Sequence, residues 1–157
     1  MRSQRLQRFF RDFDLDYAVF ARLIVALMDI PQPWILSTDR TEWSFGQTHF
    51  NILMLGVVHN SVAYPLLWTM LDKKGNSNSD ERMDLLDRFE QIFPNTEIAY
   101  ISGDREFVGK QWLTYLLIEP AISFRLRIKK SDRISNGKNQ LRATCGELYA
   151  FVLFLPI

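Results

Sequence analysis

Two aspartates stand where strand-forming sequence does not normally carry charge. Asp39 lies in the middle of Trp34-Ile35-Leu36-Ser37-Thr38-Asp39-Arg40-Thr41-Glu42-Trp43-Ser44-Phe45, and Asp104 closes the apolar run Ile98-Ala99-Tyr100-Ile101-Ser102-Gly103. A carboxylate taken out of water costs several kcal/mol unless it is paired, hydrogen-bonded or metal-bound. Asp39 therefore needs a partner that its own stretch does not supply, and Asp104 is the candidate. Two strand aspartates brought together are a candidate metal site.

The composition bounds what such a site could serve. A chain of 157 residues with 47% hydrophobic content has room for one domain with a real core. The single cysteine, Cys145, excludes an internal disulfide, and no Cys and His cluster has zinc-ligand spacing, so a reducing, cytoplasmic setting is expected. Residues 1–16 interleave Arg2, Arg5, Arg8 and Arg11 with acids and lack the apolar core of a signal peptide. Tyr17 to Met28 is apolar but broken by Arg22, and it falls well short of the roughly 20 residues that span a bilayer. A buried helix is expected there, and no membrane.

Charge is segregated under a net value of +1. Residues 121–142 carry seven basic side chains (Arg125, Arg127, Lys129, Lys130, Arg133, Lys138, Arg142) against Asp132, whereas residues 72–106 carry nine carboxylates against five basic groups. An acidic centre beside a basic strand suits metal-dependent work on a polyanion, and it also suits an ordinary solvated surface.

The elements that must position these groups can be read in order. Leu6, Phe9, Phe10 and Phe13 recur at helical spacing, and Asp14 or Asp16 can cap a second helix running to Met28. The arginines at 2, 5, 8 and 11 form a stripe opposite the phenylalanines, read as a solvated face or as phosphate contacts. Pro31 and Pro33 then break the helix. Three strand-like runs follow, Trp34 to Phe45, Thr48 to Val58 and Val62 to Leu71, with turns at Gly46 and His59-Asn60-Ser61, so an antiparallel meander is expected. Pro65 assigns the third run to an edge, since proline cannot donate to a ladder. His49 and His59 lie ten residues apart on one strand, too far to share a metal, and are read as structural.

The polar loop Asp72 to Asn78 leads into a helix over Ser79 to Phe93, capped by Ser77 or Ser79, with Met83, Leu86, Phe89, Ile92 and Phe93 as its buried stripe. After the Asp104 strand, Gly109 opens a shorter helix that Pro120 ends, with Trp112, Leu113, Leu116 and Leu117 inward. A strand comes last, alternating Ile122, Phe124, Leu126 and Ile128 with Ser123, Arg125, Arg127 and Lys129. The order β-β-β-α-β-α-β is that of a ribonuclease H-like, retroviral-integrase-like α/β core with a mixed sheet. The chain divides into a helical lead-in (1–29), the core (30–131) and a remainder (132–157) that reads as truncated, leaving the fold incomplete at its C-terminus.

Four phrases add a resemblance. Leu36-Ser37-Thr38-Asp39-Arg40-Thr41-Glu42-Trp43, Ala63-Tyr64-Pro65-Leu66-Leu67-Trp68, Asp72-Lys73-Lys74-Gly75-Asn76-Ser77-Asn78-Ser79 and Ser102-Gly103-Asp104-Arg105-Glu106-Phe107-Val108-Gly109 together resemble the catalytic domain of DDE-type insertion-sequence transposases of the insertion-sequence-four family, across residues 5–130. The resemblance implies a DNA transposase in which Asp39 and Asp104 are the first two of three acids holding two Mg2+ or Mn2+ ions. Two metals about 4 Å apart activate water or a 3′-hydroxyl and stabilise the leaving oxygen of a phosphodiester. It further implies double-stranded transposon ends as partner, a bacterial nucleoid-associated location, and a homodimer as the form open to the complete enzyme, while the basic face of the last strand (Arg125, Arg127, Lys129, Lys130) is the expected DNA contact.

The family's third acid lies, well after the fifth strand, in a Tyr-x-x-Arg-x-x-x-Glu-x-x-x-x-x-x-Lys pattern that this sequence lacks; Glu147, the only glutamate after that strand, has no matching arginine or lysine. Arg40, Glu42, Arg105 and Glu106 are read as charge balance or as spare ligands, with Arg40 facing away from the metal side by strand alternation. Three functions therefore stand side by side: a transposase catalytic-domain fragment inactive alone, a non-catalytic DNA-binding fragment that interferes with full-length transposase, and a different ribonuclease H-like nuclease. The apolar run from Leu148 to Ile157 is expected to make the fragment prone to association.

Overall fold

The computed structural model describes residue 8, residues 12–128 and the short segments 133–135 and 140–142. Lys129, Lys130, Glu147 and the apolar run 148–157 lie outside the described residues, as does most of the first helical piece.

The first turn of helix α1 (Tyr17–Met28) is held by Asp16, whose carboxylate accepts from the backbone N–H groups of Ala18 and Val19 at 2.9 and 3.0 Å. The helix is less buried than its composition suggested. Ala21 is fully buried and Tyr17, Ile24, Val25 and Met28 pack against the core, while Val19, Leu23 and Leu27 are exposed. A helix laid on a sheet buries one stripe, so an almost wholly apolar segment leaves its outer side in water.

Strands β1 (Trp34–Phe45), β2 (Thr48–His59) and β3 (Val62–Met70) form the antiparallel meander. The tight loop Gly46-Gln47 joins the first pair, with Gly46 at φ 60°. Asn60 and Ser61 join the second pair and both have positive φ, the signature of a turn whose twist matches that of the flanking strands. Pro65 lies on β3 opposite a register shift at Leu55/Gly56, and β3 is the sheet edge.

Helix α2 (Ser79–Ile92) is capped by Asn78 rather than by a serine. Its side chain accepts from Glu81 N–H at 2.9 Å while the Glu81 carboxylate accepts from Asn78 N–H at 2.7 Å, a reciprocal pair that satisfies two otherwise orphaned donors. Strand β4 (Ile98–Gly103), a single 3-10 turn (Arg105–Phe107), helix α3 (Lys110–Ile118) and strand β5 (Phe124–Leu126) complete the order expected from the sequence. Strand β5 is shorter than its alternation implies. It pairs only with Ile101–Gly103, and β4 ends at Gly103, so residues beyond Leu126 have no further strand to follow. Two further short strands, β6 (Arg133–Ser135) and β7 (Gln140–Arg142), pair with each other in a separate sheet.

The result is a mixed α/β unit around one five-stranded sheet in the order β3-β2-β1-β4-β5. Strands β1 to β3 are antiparallel, and β4 and β5 run parallel to β1, as helical crossovers require. Leu36, Leu53, Leu55, Ile101, Phe124 and Leu126 of the strands share one core with Leu85, Leu86 and Phe89 of α2 and Trp112 and Leu116 of α3. Trp34 lies edge-on to Phe89 and Phe93, and α1 packs on β3 through Tyr17 and Phe20 against Trp68. No helix among the described residues is long and apolar enough to cross a membrane.

Candidate functional site

Strands β1 and β4 are central neighbours, parallel and in register from Ile35↔Tyr100 to Thr38↔Gly103. The next residue on each is an aspartate, so the register alone delivers Asp39 and Asp104 side by side at the point where the two strands part. Gly103 is required by packing: a methyl at its Cα would lie 2.8 Å from Thr38 Cγ2 and 3.1 Å from both Leu126 and Phe107, crowding the core face just below the aspartates.

Both carboxylates line one cavity of about 510 Å³, together with Ser37, Ser102, Arg125 and Arg127. Each is held loosely: Asp39 accepts from the backbone N–H of Arg40 at 2.8 Å, and Asp104 accepts from that of Arg105 at 2.6 Å while capping the 3-10 turn. Both aspartates are exposed. Asp39 thus sits mid-strand without the desolvation cost expected from the sequence, because its side chain faces the cavity and keeps its water.

The cationic side of the cavity comes from β5 and the residue after it. Arg125 pairs with Ser102 in the ladder and lays its guanidinium 3.9 Å above the Tyr100 ring, and its buried Nε has no hydrogen-bond partner among the described residues. Arg127 brings Nη1 to 3.9 Å from the Asp104 carboxylate. Carboxylates with open lone pairs suit a hard cation and planar guanidiniums suit an oxyanion, so the cavity wall offers both kinds of donor.

The opposite face of the same strands is locked by charge. Arg40 donates through Nε to both carboxylate oxygens of Glu106 at 3.1 and 3.2 Å, through Nη1 to Glu42 at 3.4 Å and Asn51 at 3.1 Å, and through Nη2 to Asn76 at 3.4 Å. Arg40 thus points away from the cavity, as alternation required, and with Glu42 and Glu106 it forms an internal ion-pair network. Asn51 in turn donates to the carbonyls of Lys73 and Gly75, tying down the loop before α2. Lys73 reaches Glu81 at 2.8 Å; burial pushes the Glu81 carboxyl up, but this partner and the Asn78 N–H outweigh it and leave it below the ordinary carboxylate range.

Arg82 was not singled out from the sequence. It is buried, donates to Ser77 Oγ at 2.8 Å and to the carbonyls of Ser77 at 2.5 Å and Glu106 at 3.1 Å, and covers the Phe107 ring at 4.9 Å. Burial pulls its guanidinium below the usual arginine range, with Glu106 and Glu81 opposing. A signal existed: Arg82 shares the i, i+3, i+4, i+7 stripe of Leu85, Leu86 and Phe89. Tyr100, Ser102 and Ser37 were also missed, although a period of two counted back from each aspartate reaches all three.

No protein-family model matches the chain, and no curated protein does. Among the solved structures there are chains that resemble it in shape. A chain of the cryo-EM structure of the simian T-cell lymphotropic virus intasome in complex with PP2A regulatory subunit B56 gamma aligns at 15% identity and a TM-score of 0.45, over 60% of this chain. The alignment spans about a third, 34%, of that viral-complex chain.

Proposed function

We propose that this unit has a ribonuclease H-like core of the DDE transposase type and acts on the phosphodiester backbone of double-stranded DNA. The observation that carries the reading is the meeting of Asp39, Asp104, Arg125 and Arg127 on one cavity. The sheet order, with its antiparallel meander followed by two parallel strands, supports it. Asp39 and Asp104 would hold divalent Mg2+ or Mn2+, for which their open carboxylate oxygens are suited donors. Such ions, when bound, supply Lewis-acid activation of an attacking oxygen and stabilise the leaving one. The chain's own part is to fix the two carboxylates by strand register and to hold the phosphate with Arg125, stacked on Tyr100, and Arg127.

One observation favours a second reading, a DNA-binding unit without chemistry of its own. Among the described residues no three His, Cys, Asp or Glu side chains come together as metal ligands. Two measurements separate the readings. Calorimetric titration with Mn2+ is expected to show weak binding that an Asp39→Asn, Asp104→Asn double variant abolishes; equal affinity in both proteins would remove the metal site. DNA affinity is expected to fall steeply with salt, and Arg125→Ala with Arg127→Ala should flatten the log-log slope by about 0.9 for each phosphate no longer neutralised. Metal binding together with nicking of supercoiled DNA that is lost in Asp104→Ala supports catalysis, and salt-dependent binding without nicking supports the second reading.

A further inference from the structure

Strand β4 leaves β1 after Thr38, and β3 leaves β2 at the Ile52↔Met70 pair, but β1 and β2 continue paired to Phe45↔Thr48. Their outer ends therefore project from the sheet as a two-stranded ribbon, and the two sides of that ribbon differ in kind. One side is internally satisfied: Arg40 pairs with Glu42 and Asn51, and the Ser44 hydroxyl and His49 Nδ1 are hydrogen-bonded at 2.7 Å.

The other side carries no charge beyond Asp39. Because side chains alternate, Trp43 and Phe45 project from the face of β1 that bears Asp39. Trp43 is cross-strand from Phe50, just as Asp39 is from Met54, which lines the cavity. Trp43 is 66% and Phe45 83% exposed. Large aromatic rings left in water forgo much of the stabilisation that burial would give, and here no described element covers them.

Resting on the DNA reading above, we propose that Trp43 and Phe45 form a stacking platform for nucleic-acid bases that are unpaired or splayed next to a phosphate held in the cavity by Arg125 and Arg127. The position on the chain favours this occupant. Trp43 follows Asp39 by four residues of extended strand, about 13 Å along the same face, which matches about four stacked nucleotides at 3.4 Å each. Any base has a ring face that an aromatic side chain can cover, so the platform adds affinity for melted or single-stranded DNA without selecting sequence. With no basic group among the described residues on this side, it is assigned to bases, leaving the backbone to Arg125 and Arg127.

The test compares a blunt duplex with a duplex carrying a single-stranded extension, each with 2-aminopurine near the junction, binding to wild type and to a Trp43→Ala, Phe45→Ala double variant. Both side chains are exposed, so the variant retains the core. The expected result is a loss of at least about tenfold in affinity for the extended DNA, with little change for the blunt duplex and an unchanged salt slope. Wild-type 2-aminopurine emission should be quenched on binding, and the variant should not quench it. Equal affinities while Arg125→Ala, Arg127→Ala still weakens binding would overturn the platform and leave the DNA reading intact. Absence of DNA binding by wild type would overturn both. A wild-type dimer in sedimentation that the aromatic variant converts to monomer would assign the ridge to a second copy of the chain, and so also overturn the platform.

Discussion

Arg40 shows how one side chain can serve a site it never touches. It follows Asp39, Glu106 is two residues past Asp104, and their ion pair spans the same two strands from behind. With side chains only 13% and 19% exposed, the pair is screened less than an ordinary surface bridge. Replacing Arg40 by Met should cost about 2 kcal/mol, the scale of losing hydrogen bonds to charged acceptors, and Glu106→Gln somewhat less. Urea unfolding of both single variants and the double one should show strongly non-additive losses; additive losses would mean the two residues are not coupled. The same variants should weaken Mn2+ binding more than they weaken salt-dependent DNA binding, since they loosen the carboxylates and leave Arg125 and Arg127 in place.

At this scale the site was half legible. The two aspartates declared themselves because a carboxylate inside a strand pattern conflicts with local propensity. Arg82 and Tyr100 did not, because a buried arginine and a cation-stacked tyrosine look in sequence like a helix surface residue and a core aromatic. Their roles come from which ring or carbonyl tertiary packing brings within reach.

Elements were read more completely than side chains. Hydrophobic periodicity located β1 to β4 and all three described helices to within a residue or two, since each buries a regular stripe. Strand β5 was overestimated because alternation reports which face a residue would take and says nothing about how long its neighbour is. The cap of α2 was misassigned among Ser77, Asn78 and Ser79, three adjacent residues each able to accept, and only the backbone decides between them.

The α2 and α3 helices are joined by a hydrogen bond from the Tyr115 hydroxyl to the Asp87 carboxylate. Burial first, then this bond and the charges of Asp87, Glu90 and Glu119, push the Tyr115 phenol above its ordinary range. A group whose folded value is raised stabilises through its protonated form. That contribution is complete below the unfolded value of about 10 and is lost as pH climbs from there toward the folded value. Thermal melting from neutral to strongly alkaline pH should therefore show a decline above about pH 10 that Tyr115→Phe reduces. The variant itself should be about 1 kcal/mol less stable at neutral pH, from the lost bond to a charged acceptor. An alkaline decline of equal size in both proteins would place its cause elsewhere.

For the molecule as a whole, the element order pointed to a mixed sheet with the third strand at an edge, and the order β3-β2-β1-β4-β5 fits it because a meander followed by helix-linked strands has few unknotted right-handed solutions. The segregation of charge seen along the chain becomes spatial in a way that composition could not specify: the basic β5 segment is placed beside an aspartate of the acidic one across a single cavity. Lys129 and Lys130, counted with that basic face, lie outside the described residues, so the cationic wall rests on Arg125 and Arg127.

Strand β1 changes character at Asp39. From Ile35 to Thr38 it is flanked by β2 and β4, and from Arg40 to Phe45 by β2 alone. Amide hydrogen exchange should register this as a step within one continuous strand: protection close to the global unfolding free energy before Asp39, and far lower protection from Thr41 onward, where the ribbon can open without unfolding the sheet. A uniform protection profile along β1 would contradict it. The step places Asp39 at the junction between a rigid frame and a pliant arm, where a carboxylate can stay fixed while the segment just beyond it adapts to whatever lies across the site.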